Sequence, residues 1–309
     1  MSSDPVLYEE TDGIAIITLN RPEKRNALNE DMIEGIAQGI DAATGSADVA
    51  AVVLRGAGGT LTAGYDLSPG DDGPAWATPY AASGPTPRDG AWDPVRDYQF
   101  MGNNARRFMK IWECPKPVLG EITGWAVGGA TDLVLCCDQL YMASDAHIGY
   151  APSRIYGTPT TMMWVYRLGL EHAKQFLLTG RAINAATAHR IGLVAHVTDP
   201  AELSELVEAD ARRFRSIPPN QLALNKMLIN QAFENMGLRT TQMLGTFFDG
   251  ITRHTEEAYR WEEDIAERGL KAVVADRDGP WDDYSQRPKP THDEPTTEEP
   301  TNDAPTTDA

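Results

Sequence analysis

Cysteine is scarce: Cys114, Cys136 and Cys137 are the only three in 309 residues. So few give no disulfide framework and no metal-ligand spacing. Adjacent cysteines in a helix point apart, so Cys136 and Cys137 are expected to act as small buried hydrophobes. Long apolar runs are missing too, and nothing approaches the ~18 residues of a membrane span. The opening "MSSDPVLYEETDG" has neither a basic flank nor an apolar signal core; the expectation is a cytoplasmic chain with no membrane partner. Basic residues are few, 27 Lys and Arg against 45 acids, for a net charge of −18. From Asp276 onward ten acids face three Lys or Arg, a net −7, which leaves −11 on the body. With no basic stripe to meet a phosphate backbone, no nucleic-acid partner is expected.

What the chain does have is an ordered alternation of patterns. "GIAIITLN" (Gly13 to Asn20) and "VAAVVLRG" (Val49 to Gly56) read as buried strands. Between them Asn29 is placed to cap a helix carrying Met32, Ile33, Ile36 and Ile40 at helical spacing. A polar, Pro/Gly-rich stretch from Ser68 to Pro94 follows, with Trp76, Tyr80 and Trp92 in it. So long a loop usually serves as a lid or binding loop. A helix through "DYQFMGNNARRFMKIWEC" leads to the strand "KPVLGEITG", and "QLYMASDAHIGY" reads as further strand. From Pro200 the pattern is helical only. The end, "PKPTHDEPTTEEPTNDAPTTDA", is too polar to order itself. These patterns predict an α/β core over residues 1–199, a helical region over 200–275 and an acidic Pro/Thr-rich tail over 276–309. His147, His172, His189, His196 and His254 share no metal-like spacing, and no metal is expected.

Two places share a physical design. "TAGYDL" puts a turn after a strand, and "VGGATD" puts glycines at a helix start. Glycine lets another group approach the main chain, and a helix start leaves N–H groups unpaired. Two such donors converging on a carbonyl oxygen form an oxyanion hole, although a Gly-Gly pair alone is equally a simple turn. Asp132 stands inside the apolar run that follows. Alone it is also explained as a helix Asp bonded to a neighbouring group; beside the glycine turn it is placed for proton chemistry, with burial raising its pKa.

In order, "RPEKRNAL", "TLTAGYDL", "KPVLGEITGWAVGGATDLVLCCD" and "FLLTGRAINAATAHRIGLVAHV" resemble the crotonase (enoyl-CoA hydratase/isomerase) superfamily, from about Leu7 to Asp276. The resemblance implies a β-β-α spiral core whose helical C-terminal region packs against neighbours in a homotrimer or hexamer. It implies an acyl-CoA substrate and no cofactor beyond the coenzyme A that the substrate carries. The Tyr65 and Gly129 N–H groups would hold the thioester oxygen as an enolate develops. Ala63, Asp66 and Leu67 belong to the same hole segment. Lys24 or Arg25 would meet phosphate, Ala27 the adenine end, and Lys226 a further phosphate. Each of these cations reads equally well as a surface charge.

Asp132 falls where hydratases of the family carry the first of two catalytic glutamates. The second follows a proline; here "APSRIYGTP" aligns Pro152 with that proline and puts Ser153 at the glutamate position. A serine is no carboxylate base, and Tyr150, Arg154 and Tyr156 are the neighbours at hand. The implied reaction is therefore an atypical hydration or dehydration, with Asp132 as main acid/base and a hydroxyl of Ser153 or Tyr150 assisting. Decarboxylation or hydrolysis of a CoA thioester, and acyl-CoA binding without turnover, are the alternatives. The tryptophans of the Ser68–Pro94 insertion are expected beside a bulky or ring-bearing acyl group.

Overall fold

The computed structural model describes residues 4–66, 69–70, 73–74 and 92–284. A hairpin opens the chain: β1 (Val6–Thr11) pairs antiparallel with β2 (Ile14–Leu19), whose residues are almost all buried. Helix α1 (Glu30–Gly45) follows and buries Met32, Ile33, Ile36 and Ile40 on one face. The Asn29 side chain accepts the Met32 N–H at 3.0 Å, the cap that the spacing predicts. Next come β3 (Ala51–Gly56), the two-residue strands β4 (Pro69–Gly70) and β5 (Gly73–Pro74), and helix α2 (Pro94–Glu113).

The core then winds between two sheets. Strand β6 (Val118–Ile122) joins the large sheet and β7 (Trp125–Val127) the small one. Helix α3 (Gly129–Val134) separates them from β8 (Gln139–Ala143) and β9 (His147–Gly149), which divide between the sheets in the same way. Helix α4 (Met163–Thr179), β10 (Ile183–Asn184), α5 (Ala185–Arg190) and β11 (His196–Thr198) make the last turn. The large sheet has the order β1-β2-β3-β6-β8-β11 and is parallel from β2 onward; the small one has the order β10-β9-β7. This is the β-β-α spiral that the resemblance implies. Both faces of the parallel strands are covered, which is why they read as continuous apolar runs. Cys114, Cys136 and Cys137 are free and buried in that core.

Among the described residues five α-helices follow: α6 (Leu203–Arg213), α7 (Pro219–Asn235), α8 (Leu238–Thr252), α9 (Glu256–Arg268) and α10 (Leu270–Asp278). The order continues past the boundary expected at residue 276. Arg154 bonds Asp278 at 3.0 Å and Asp283 at 2.7 Å, and the Tyr284 hydroxyl donates to the Gly180 carbonyl at 2.9 Å. Composition places these acids with the tail, but a buried arginine 124 residues upstream draws Asp278 into the fold. No described helix is long and apolar enough to cross a membrane. Replacing the α1 cap, Asn29→Ala, is expected to cost about 1 kcal/mol, read as a lower urea midpoint at unchanged m-value.

Candidate active site

Two chain segments after β2 and β3 are laced together. Leu28 donates to the Gly64 carbonyl at 2.8 Å, Asp66 to the Leu28 carbonyl at 3.0 Å, and Ala63 to the Arg25 carbonyl at 3.0 Å. Arg21 clamps the pair, reaching Asp66 at 3.1 Å and the Ala27 carbonyl at 2.7 Å. Buried Asn26 bonds the carbonyls of Ala57 and Thr60. Arg25 and Asn26 take left-handed backbone angles, so the loop turns sharply and leaves the side chains of Lys24 and Arg25 exposed. Asp66 thus serves to hold the loop, as the partner of Arg21.

Gly64, at φ +91°, passes so close to β7 that an added Cβ would sit 2.5 Å from the Val127 carbonyl and 3.5 Å from the Gly129 nitrogen. A Cβ on Gly129 would in turn lie 2.5 Å from the Tyr65 ring. Tyr65 and Gly129, predicted as the two hole donors, therefore lie side by side, and only glycine permits that approach. Both line a cavity of about 480 Å³. Lys24, Arg25, Ala27, Ala63, Asp66, Asp132 and Tyr150 line it too. Leu67 lies outside the described residues.

Asp132, on α3, is 2% exposed. Its Oδ1 accepts the Thr161 backbone N–H and the Thr161 hydroxyl, each at 2.9 Å. Burial pushes its pKa up to about 6; the Thr161 bonds oppose that shift and the charge of Asp249 adds to it. Tyr65 and Tyr150 face the same charges. Burial first, then Asp132 and Asp249, hold their hydroxyl protons well above the ordinary tyrosine range. At neutral pH both are hydrogen-bond donors rather than bases.

A profile of the enoyl-CoA hydratase/isomerase family matches residues 9–283. The chain belongs to that family. It is 30% identical over 244 residues to the crotonyl-CoA hydratase of Syntrophomonas wolfei, which covers 78% of this chain and 85% of that one. It is 27% identical over 272 residues to the (E)-benzylidenesuccinyl-CoA hydratase of Thauera aromatica, covering 87% and 98%. The crystal structure of an enoyl-CoA hydratase from Mycobacterium smegmatis is similar with a TM-score of 0.83 and 38% identity, over 92% of this chain and 96% of that one.

Within this family frame some expected residues fall elsewhere. Ser153 is half-buried and does not line the cavity. The next residue, Arg154, turns away to Asp278 and Asp283. Tyr156 reaches the cavity, but its hydroxyl donates to Glu262 at 2.5 Å. Lys226 does not meet the cavity. It is 8% exposed, and its Nζ bonds the carbonyls of Ile111 and Lys116 and, at 2.6 Å, Asp138. An ammonium has three donors and all three are used inside the protein, so Lys226 is a buried strut and not a phosphate contact. Trp92 stacks on His254 at 4.6 Å and donates to Asp97 at 2.9 Å, outside the cavity lining. Trp76 and Tyr80 lie outside the described residues. Among the described residues no His, Cys, Asp and Glu group has the arrangement to hold a metal.

Other lining residues were invisible to the motif reading: Asp249 and Arg253 from α8, and Leu270, Val274, Arg277, Asp278 and Tyr284 from the chain's end. Asp249 and Arg253 stand four apart on a helix and read as a solvated surface pair; their burial at 5% and 3% is what shows otherwise. The one available signal is that Gln242, Thr246, Asp249 and Arg253 form a polar stripe at helical spacing, all of it buried.

The displaced pKa of Asp132 has a consequence for stability. Below its ordinary value of 3.8 the carboxyl is protonated folded or unfolded, and no linkage penalty arises. Between 3.8 and about 6 the unfolded chain gives up its proton first, so the fold loses stability as pH rises. The loss levels off above the folded value at about 3 kcal/mol. Asp132→Asn is therefore expected to raise Tm at pH 7 to 8, with the gain shrinking as pH falls from 6 towards 4.

Proposed function

We propose that the protein adds water to, or removes it from, an enoyl-CoA thioester, with Asp132 as the main acid/base. The observation that carries the reading is a buried carboxylate three residues beyond Gly129, in the cavity that Tyr65 and Gly129 also line. The two N–H groups would take the thioester oxygen as charge moves onto it; losing one such donor typically costs about 3 kcal/mol of barrier lowering. Asp132, ionised above about pH 6, takes the proton from water as its oxygen bonds to the β-carbon. Lys24 and Arg25, exposed at the loop that borders the cavity, supply cations for the phosphates on a body that is otherwise acidic.

Decarboxylation is less well supported. Loss of carbon dioxide needs no group to take a proton from water, the part for which Asp132 is placed, and Arg253, the cation that lines the same cavity, is already shared by Asp97 and Asp249. Passive binding of acyl-CoA gives no reason to retain a carboxylate whose burial weakens the fold. A ring-bearing acyl group fits the walls, which include Tyr65, Trp125, Tyr150 and Tyr156. The Thauera relative is named for a benzylidene-bearing thioester, which supports that choice.

The C-terminal helices support self-association. Helix α7 exposes Leu224, Met227, Leu228 and Ile229, and α8 exposes Phe247 and Phe248, each by 40% or more. So much contiguous apolar surface on a soluble chain marks an interface, and a homotrimer or hexamer would bury it. Light scattering is expected to give a multiple of the 33.8 kDa chain. Leu228→Glu with Phe248→Glu is expected to shift the mass towards the monomer.

The reaction is tested by incubating the protein with crotonyl-CoA and cinnamoyl-CoA and weighing the products. A gain of one water is expected, reduced by about 100-fold or more in Asp132→Asn. The wild-type hydration rate should fall as pH drops through about 6, because the carboxylate that takes the proton is lost. Loss of carbon dioxide from a malonyl-type thioester, with no hydration of either enoyl-CoA, would replace this reading.

A further inference from the structure

With Ser153 off the cavity, hydration is short of one acid. Adding water moves two protons, one off the water and one onto the α-carbon, and Asp132 accounts for one of them. The surroundings of Asp249 point to where the other acid lies. This carboxylate comes from α8, is nine-tenths buried and lines the same cavity as Asp132. A Cβ built on Gly157 would stand 3.2 Å from Pro152 Cβ, 3.4 Å from Asp249 Oδ1 and 3.6 Å from the Tyr150 hydroxyl. The Asp249 oxygen thus lies against the very segment, 152–157, that carries Ser153.

That position is fixed from two sides. Thr158 donates its N–H to Asp249 Oδ1 at 3.1 Å. The Thr158 hydroxyl holds the Gly245 carbonyl at 2.6 Å, and the Gly157 N–H donates to Thr252 Oγ1 at 2.9 Å, so α8 is pinned along the segment. Arg253 pairs with Asp249 and also with Asp97, whose other oxygen takes the Trp92 indole N–H. Here two buried acids share one arginine, with the His254 ring 3.8 Å from Asp97. Burial outweighs Arg253 and raises the proton affinity of Asp249.

We propose that Asp249 is the second catalytic carboxylate, delivering the α-carbon proton from α8 in place of the acid that position 153 lacks, with Arg253 and Asp97 positioning it. The inference rests on the hydratase reading above. The water oxygen bonds to the β-carbon while its proton passes to Asp132. The double-bond electron pair moves to the enolate held at the oxyanion hole, then forms the α-C–H bond with the proton of Asp249. Asp132 ends protonated and Asp249 ionised, and exchange with solvent resets both.

Two assays separate this proposal from its parent. Hydration of crotonyl-CoA reads the whole reaction. Exchange of the α-protons of butyryl-CoA into D2O reads only the α-carbon step, since that thioester has no water to lose. In Asp249→Asn both rates are expected to fall by about 100-fold or more, with KM for crotonyl-CoA within about threefold of wild type. A purely structural role would instead weaken butyryl-CoA binding along with the rates. Asp249→Glu keeps a carboxyl group beside Arg253 and moves it by one methylene, so it is the variant to use if Asp249→Asn does not fold. Its exchange rate is expected to fall by about tenfold or more. Exchange and hydration within about twofold of wild type in either folded variant would overturn the role of Asp249 and leave the hydratase reading standing. A wild-type protein that neither hydrates an enoyl-CoA nor exchanges an α-proton would overturn both.

Discussion

Asp132 is buried, with Thr161 as a hydrogen-bond partner and, among the described residues, no cation bonded to it. Much of the site follows from that one constraint. A carboxylate without a counter-ion resists ionisation, so its proton comes within reach of neutral pH. The two Thr161 donors limit the shift, and they fix the side chain so that proton transfer has a defined geometry. The same burial opposes folding; in the proposed reaction that is a trade of stability for activity.

The glycines matter for a related reason. Gly64 and Gly129 bring two main-chain segments closer than side chains allow, which sets Tyr65 beside the start of α3. The Arg21–Asp66 pair and the Asn26 bonds keep the first of those segments from relaxing away. Preorganised donors need no rearrangement at the moment charge develops, and this is where such sites gain most of their effect. The spiral core therefore supplies the part of the site that tolerates little change. Walls contributed by α8 and α10 enclose it.

The cavity's back wall depends on long reaches along the chain. Arg154 faces Asp283 across 129 residues, Arg253 faces Asp97 across 156, and Thr158 faces Asp249 across 91. Each joins the segment after β9, or α2, to the helical end of the protein. The two ion pairs among them are largely buried, so breaking one leaves its partner uncompensated. The C-terminal helices are thus part of the active-site wall as well as the carriers of an exposed apolar face.

Local physics made much of this protein legible from its residues. Continuous apolar runs gave the parallel strands, helical spacing gave α1, and Asn29 declared its cap. The glycine turns pointed to a pair of backbone donors, which the family resemblance placed at Tyr65 and Gly129, and a lone acid in an apolar helix pointed to Asp132. All of these signals lie within a few residues of what they describe. The roles of Lys226, Ser153 and Asp249 left no such trace. Lys226 reads as a free cation until Ile111, Lys116 and Asp138 surround it. Asp249 and Arg253 read as a solvated pair until α8 docks, and residues 276–284 read as tail until Arg154 binds their acids. The sequence by itself determined the elements and the half of the site built on turns next to strands. Only the tertiary structure decided which charges are buried and which face the cavity, because desolvation and ion pairing are set by neighbours a hundred residues away.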